Sequence, residues 1–283
     1  MIEPLQQYEF EKLRDLLASV CGIVLKADQD YLVETRLTEL ANEIGVANFG
    51  ELHRAIIMDE SLLSQVVDLM TTNETLWFRD DSCWATLEHS ILPSLIERLH
   101  QGQRNIRIWS AACSTGQEPY SLVILIREIL EKQGRPDLLN RFELVGTDIS
   151  NAALYLAQKG CYDPFTISRG MPDSRLAKHF SSQKKVWTIS PEIRAKVKFQ
   201  AFNLMDSFAV LGEFDLVLCR NVAIYFSEQF KKDLFRKITG ILRPESFMLL
   251  GATESLLGIE TDFKNMSYGN GLYYQIGKTK NNQ

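Results

Sequence analysis

Histidine and cysteine are few in this 283-residue chain, and they stand far apart. His53, His89, His100 and His179 show neither a metal-ligand spacing nor the order of a catalytic triad, so no metal is expected and all four read as non-catalytic. Cys21, Cys83, Cys113, Cys161 and Cys219 form no C-x-x-C pair and are odd in number, the pattern of free thiols in a reducing cytoplasm. The G-x-S-x-G elbow is absent, which removes the hydrolases built on it. G-x-G-x-x-G is absent too, so a dinucleotide pyrophosphate is a poor fit. The most apolar run, residues 122–126, stops at Arg127, far short of the roughly 20 residues a membrane-spanning helix needs. The start of the chain is polar and holds no export segment. There is no basic surplus either. The net charge is −5, and residues 1–70 carry 5 Lys/Arg against 13 Asp/Glu while the rest carry 26 against 23. Phosphate binding needs clustered cations, so neither a nucleic-acid partner nor membrane insertion is expected.

What is present is the composition of an ordinary globular protein, 45% hydrophobic and 24% charged, long enough for two domains. Residues 1–70 read as a small helical domain. Phe10, Leu13, Leu17 and Val20 recur at helical spacing up to a capping Gly22. Leu32, Val33, Leu37 and Leu40 form a second face that ends near Gly45. Phe49, Leu52 and Ile56 form a third, and Leu62, Leu63, Val66 and Val67 a fourth. Residues 71–90 form a polar break and then the start of a helix over 83–100. From residue 91 to 277 strands and helices alternate: strands at 106–112, 142–148, 197–202, 214–219 and 247–251, with helices at 117–132, 151–158 and 227–242. Such alternation implies right-handed βαβ units and a parallel sheet. Residues 160–196 break the pattern, and Val186-Trp187-Thr188-Ile189 suggests a small antiparallel insertion. Residues 263–268 and 272–276, joined by Gly269-Asn270-Gly271, form a closing hairpin. The predicted fold is therefore α/β and class I methyltransferase-like: a Rossmann-like, mostly parallel sheet ending in an antiparallel hairpin, with an N-terminal helical domain and an inserted β-subdomain. Residues 278–283 read as a frayed tail.

In open α/β sheets, ligands bind outside the carboxyl ends of the strands. The turn after the first strand, Ser110-Ala111-Ala112-Cys113-Ser114-Thr115-Gly116, lets backbone approach a ligand, and Glu118 adds a carboxylate suited to an ammonium group. Ser114 or Thr115 could equally just cap the helix. Asp148 ends the second strand, where an acid accepts hydrogen bonds from ribose hydroxyls; its other reading is a helix cap. Asn203-Leu204 and Arg220-Asn221 close two further strands, and Asn203 could meet an adenine edge. Tyr225 could face a substrate or simply pack. Arg220, after a mostly apolar run, is harder to dismiss, because an unpaired buried guanidinium is costly.

Taken together, TTNETLWFRD (71–80), WSAACSTGQEPYS (109–121), GTDIS (146–150), FDLVLCRNVAIYF (214–226) and LLGATES (249–255) closely resemble the CheR-type chemotaxis receptor methyltransferases, from about Phe10 to Tyr274. The resemblance implies a two-domain cytoplasmic enzyme, by default a monomer, that uses S-adenosylmethionine to esterify glutamates on the cytoplasmic domains of bacterial chemoreceptors and releases S-adenosylhomocysteine. It places cofactor contacts on Asn73, Thr75, Arg79, Glu118, Asp148, Asn203, Leu204, Arg220 and Asn221, and puts Arg79 and Tyr225 near the transferred methyl. Arg36 is assigned to substrate binding, residues 71–90 to a lid, and residues 160–196 to a β-subdomain that in some members docks a receptor's C-terminal peptide. Two departures stand out. Gln117 replaces a common Glu, and the second helix is dominated by Asp28, Asp30, Glu34, Glu39 and Glu43 where members commonly present basic residues. A same-fold carboxyl methyltransferase for another protein and a non-catalytic cofactor sensor are the alternatives.

Overall fold

Four apolar stripes at helical spacing, none able to bury itself alone, meet in one helical cluster. The computed structural model, which describes residues 2–259 and 261–278, places α1 at Gln7–Cys21, α2 at Asp30–Glu43, α3 at Phe49–Met58 and α4 at Glu60–Met70. Phe10, Leu13, Leu17, Val33, Leu37, Phe49, Leu52, Ile56 and Val66 are buried together there, apart from the two clusters that cover the sheet. Glu9 is buried inside this cluster because it has work on two helices. One carboxylate oxygen accepts from the Gln6 amide (3.0 Å) at the start of α1, the other from the Gly50 amide (2.8 Å) at the start of α3. Gly22 caps α1 with φ +76°, and a Cβ there would lie 2.5 Å from the ring of Phe230. The glycine thus serves both the cap and the approach of the two domains.

The helix expected over 83–100 is interrupted. α5 (Asp81–Thr86) runs into one widened π turn, Leu87–Ile91, before α6 (Leu92–His100). Pro93 has no amide to donate back to the preceding turn, which accounts for the rearranged ladder. The remaining elements are β1 (Ile106–Ala111), α7 (Gln117–Lys132), β2 (Phe142–Asp148), α8 (Asn151–Lys159), β3 (Cys161–Tyr162), α9 (Pro164–Ser168), α10 (Asp173–His179), β4 (Phe180–Gln183), β5 (Val186–Ile189), α11 (Pro191–Arg194), β6 (Val197–Ala201), β7 (Phe214–Cys219), α12 (Glu228–Ile241), β8 (Leu242–Leu250), β9 (Phe263–Tyr268) and β10 (Gly271–Ile276). The main sheet has the order β6-β2-β1-β7-β8-β10-β9. Its first five strands are mutually parallel, and β10 is antiparallel to both neighbours. Alternate residues face opposite clusters: Leu216, Leu218 and Leu249 pack towards α7, while Val217, Cys219 and Leu250 pack towards α12. The expected insertion is an antiparallel sheet of order β3-β5-β4.

Several details depart from the sequence expectation. β8 begins five residues earlier than 247, because Glu245 turns through φ +61° after Pro244 and the pairing with β7 shifts register, so the alternation is hidden. β1 stops at Ala111 because Ala112 is left-handed, φ +53°. His179 is buried, 3.9 Å from Glu128. All five cysteines are free thiols, and only Cys161 is exposed. No described helix is long and apolar enough to cross a membrane. Of the tail expectation, residues 279–283 lie outside the described residues.

Candidate active site

The carboxyl ends of β1, β2, β6 and β7 meet the helical domain, and between them lies a cavity of about 350 Å³. Its wall is drawn from α1, α2, the end of α4, the 71–79 segment, the turn after β1 and the ends of three further strands. The two domains are stitched together along it. Val24 donates its amide to the Tyr225 carbonyl (2.9 Å), Ile23 pairs with Phe226, and the Asn203 side-chain amide donates to the Val20 carbonyl (2.6 Å).

All eleven residues singled out from the sequence line this cavity. Asp148, nearly buried, accepts from the Ser114 amide (2.8 Å) and the Ser150 amide (2.9 Å). Burial pushes its carboxyl up from the ordinary value, and those amides pull it back. Two of its roughly four lone-pair positions are used, so hydroxyl donors can still be accepted. Glu118 accepts from the Ser110 hydroxyl (2.7 Å) and from Arg220 (2.9 Å). Arg220 itself, with a side chain 1% exposed, reaches Glu118, Asp80 (2.9 Å) and the Arg79 carbonyl (2.6 Å). Burial works against its charge, but Glu118, Cys83 and Asp80 outweigh burial and raise its pKa. The guanidinium that looked too costly to bury therefore has two carboxylates beside it.

Three other side chains are occupied with structural contacts. Both ends of the Asn203 amide are engaged, the oxygen with the Met205 amide at 3.0 Å. Arg36 donates to the Met70 carbonyl (2.8 Å) and, more weakly, to those of Leu69 and Thr71, so it caps α4 at the rim. The Asn73 side-chain amide donates to the Thr71 hydroxyl (3.3 Å), while its backbone carbonyl accepts from the Ser114 hydroxyl (2.9 Å). Arg79 and Tyr225 are half-buried and less committed: Arg79 reaches only the Glu74 carbonyl, at 3.4 Å, and the Tyr225 hydroxyl has no partner among the described residues. Burial pushes the Cys113 and Cys21 thiols up, so neither supplies a thiolate at neutral pH.

Backbone strain gathers at the same place. Of the eight described non-glycine residues with left-handed φ, Ala112, Ser114 and Asn221 line the cavity and Phe78 and Asp80 flank Arg79. Such residues persist where the surroundings impose them, and they concentrate at functional sites. Glu254 braces one of them, accepting from the Asn221 amide (2.5 Å) and the Gly251 amide (2.9 Å). Asp80 and Glu254 stand inside the quoted strings TTNETLWFRD and LLGATES but were not singled out; their place in those strings was the available signal.

S-adenosylmethionine presents an ammonium and a carboxylate, ribose hydroxyls and a flat adenine. The lining offers the Glu118 and Asp148 carboxylates, with Phe202, Leu204 and Ile149 as apolar wall, and the donor set fits. Among the described residues no group of His, Cys, Asp and Glu could hold a metal.

Residues 73–271 match the family model of the CheR methyltransferase SAM binding domain, and residues 8–71 that of the CheR methyltransferase all-alpha domain. Chemotaxis protein methyltransferase 1 of Pseudomonas aeruginosa is 43% identical over 269 residues, 94% of this chain and 97% of that protein. Chemotaxis protein methyltransferase Cher2 of Pseudomonas putida is 42% identical over 270 residues, with 94% and 97% covered. A chemotaxis protein methyltransferase of Vibrio parahaemolyticus is 36% identical over 271 residues, with 95% and 96% covered.

Proposed function

This chain belongs to the CheR methyltransferase family, with its SAM-binding and all-alpha domains, and from that premise we propose that it methylates glutamate side chains on the cytoplasmic domains of chemoreceptors. It is a methyltransferase of chemotaxis that uses S-adenosylmethionine; the glutamate ester, the receptor fragment and the site roles are the finer reading. Bound S-adenosylmethionine supplies an electrophilic methyl on a sulfonium. The new bond is carboxylate oxygen to methyl carbon, the bond lost is methyl carbon to sulfur, and the bonding pair stays on sulfur in S-adenosylhomocysteine.

A glutamate with its usual pKa of about 4.3 is already ionised at neutral pH, so no general base is required. That agrees with a lining that contains no histidine and whose thiols are held protonated. The chain's task is alignment, which contributes roughly 7–11 kcal/mol in well-oriented systems. In this reading Glu118 receives the ammonium end and Asp148 the ribose, with Asn73, Thr75, Asn203, Leu204 and Asn221 closing the cofactor site. Arg220 holds Glu118 and the lid in register. Arg79 and Tyr225, half-buried donors with few commitments of their own, orient the incoming carboxylate. Residues 1–70, including Arg36 at the rim, contact the substrate protein. The free edge of β4 in the inserted sheet suits a receptor's C-terminal peptide added as a strand. A monomer working in the cytoplasm completes the proposal.

The observation that carries the reading is the convergence of residues from five separated segments on one cavity, with the Glu118 and Asp148 carboxylates and no histidine in its lining. The test is methyl-labelled S-adenosylmethionine with purified chemoreceptor cytoplasmic fragments, followed by alkali. Volatile label released by base is expected from a glutamyl ester; alkali-stable label would assign a different acceptor atom.

A further inference from the structure

Neither Arg169 nor Gly170 lines the cavity, yet both press on the segment that does. The Trp77 amide donates to the Arg169 carbonyl (3.1 Å). Gly170 packs so closely beneath the Trp77 carbonyl that a Cβ on it would lie 2.1 Å from that oxygen, and its φ of +96° is itself left-handed. The Trp77 ring, 1% exposed, is wedged edge-on against Tyr162 (4.9 Å) and Phe180 (5.3 Å) of the inserted sheet. Arg169 also pairs with Glu74 at 2.5 Å.

The rest of the 71–80 segment is anchored elsewhere. Arg36 and Ser114 hold its start, and the Ser121 hydroxyl and Arg220 hold Phe78 to Asp80. Among the described residues, the hydrogen bonds that reach the middle, Glu74 to Trp77, from outside the segment come from Arg169. Surface ion pairs contribute little, so the backbone approach at Gly170 and the buried ring do the holding. We infer that the Arg169–Gly170 turn of the inserted subdomain is a positioning element for the cofactor, fixing the backbone from which Asn73, Thr75 and Arg79 face the cavity. This rests on the reading of that cavity as the S-adenosylmethionine site.

The test titrates S-adenosylhomocysteine by calorimetry into the wild-type chain and four variants, with thermal unfolding of each. Gly102→Ala is the control for strain alone, because Gly102 has φ +103° and nothing within 4 Å of its would-be Cβ. Gly170→Ala is expected to bind about tenfold more weakly and Phe180→Leu about threefold, while Gly102→Ala and Arg169→Ala stay within about twofold, since small misplacements of a site are felt strongly. Equal binding by Gly170→Ala and Gly102→Ala would overturn the proposal. So would weakening that merely tracks the loss of melting temperature across all variants. If Gly170→Ala does not fold, Phe180→Leu against Gly102→Ala decides on the same terms. A wild-type chain that binds no product would bring down the reading of the cavity itself, and this proposal with it.

Discussion

Strand β7 carries a buried charge at each end, and the two ends are built in opposite ways. At its start Asp215, with a side chain 1% exposed, accepts from the Gln103 side chain, the Arg107 amide and Arg243, each at 2.8 Å, with Arg98 at 3.9 Å. Just past its end Arg220, equally buried, donates to Glu118, Asp80 and the Arg79 carbonyl. At the Asp215 end every charged member of the network is partnered, and among the described residues the one orphan beside it is the neutral Ser246 hydroxyl on β8. At the Arg220 end the Nε of Arg220 and one oxygen of Glu254 are buried without a partner. Five left-handed non-glycine residues stand around that end. Buried polar groups are nearly always satisfied, so an incomplete set beside strained backbone marks the end that is made to meet a ligand. Saturation holds the sheet together; incompleteness leaves room for chemistry.

The sharpest way to break the comparison is at the saturated end. Asp215→Ala strands Arg98 and Arg243 around a vanished carboxylate and is expected to cost about 3–5 kcal/mol of stability in denaturant unfolding, with S-adenosylhomocysteine affinity of the folded protein within about twofold. A large loss of affinity there would erase the distinction between the ends. Arg220→Met should do the reverse. Methyl transfer is expected to fall by about 100-fold or more, as for loss of a preorganised donor. Stability should fall by only about 1–3 kcal/mol, because Glu118 and Asp80 are partly solvated. Near-normal turnover would remove Arg220 from the site. Arg79→Ala sharpens the picture further: turnover should drop by about 100-fold while the melting curve stays within about 0.5 kcal/mol of wild type. Wild-type kinetics for that variant would take Arg79 out of the mechanism.

The smallest effect lies in a third network, away from both ends. Burial of Glu128 works against its ionisation, but His179 and Arg175 outweigh it and hold the carboxyl at about 2. The folded value lies below the usual one of about 4.3. The stabilisation is therefore fully present above the unfolded value and is lost as pH falls from there towards 2. Glu128→Gln is expected to remove about 1–2 kcal/mol at pH 7 and to flatten that part of the acid-unfolding profile. An unchanged slope would mean the pair carries no linkage.

Much of this was legible along the chain. The stripes of Phe10, Leu13 and Leu17 and of Phe49, Leu52 and Ile56 follow from a period of 3.6, and the strand over 214–219 from its apolar run, both of which local sequence carries directly. The bulge at Glu245 and the π turn before Pro93 were not legible, because each interrupts a period where only the partner strand or the rest of the helix reveals the interruption. Asp148, Asn203, Leu204, Arg220 and Asn221 were legible as positions at strand ends, whereas Arg36, Asn73, Thr75 and Arg79 came from the family resemblance alone. What each side chain meets there was less so: nothing along the chain indicates that Arg36 and Asn203 hydrogen-bond the carbonyls of Met70 and Val20.

The sequence by itself determined the alternation of elements, the family strings and the places where polar groups would sit at strand ends, since these depend on neighbours a few residues away. Only the tertiary structure decided how those groups pair. Arg220 meets Glu118 and Asp80 across 102 and 140 residues, and Asn203 meets Val20 across 183. Nor could spacing along the chain reveal that Gly170 lies against Trp77, because backbone packing between an inserted sheet and a distant segment leaves no periodic trace.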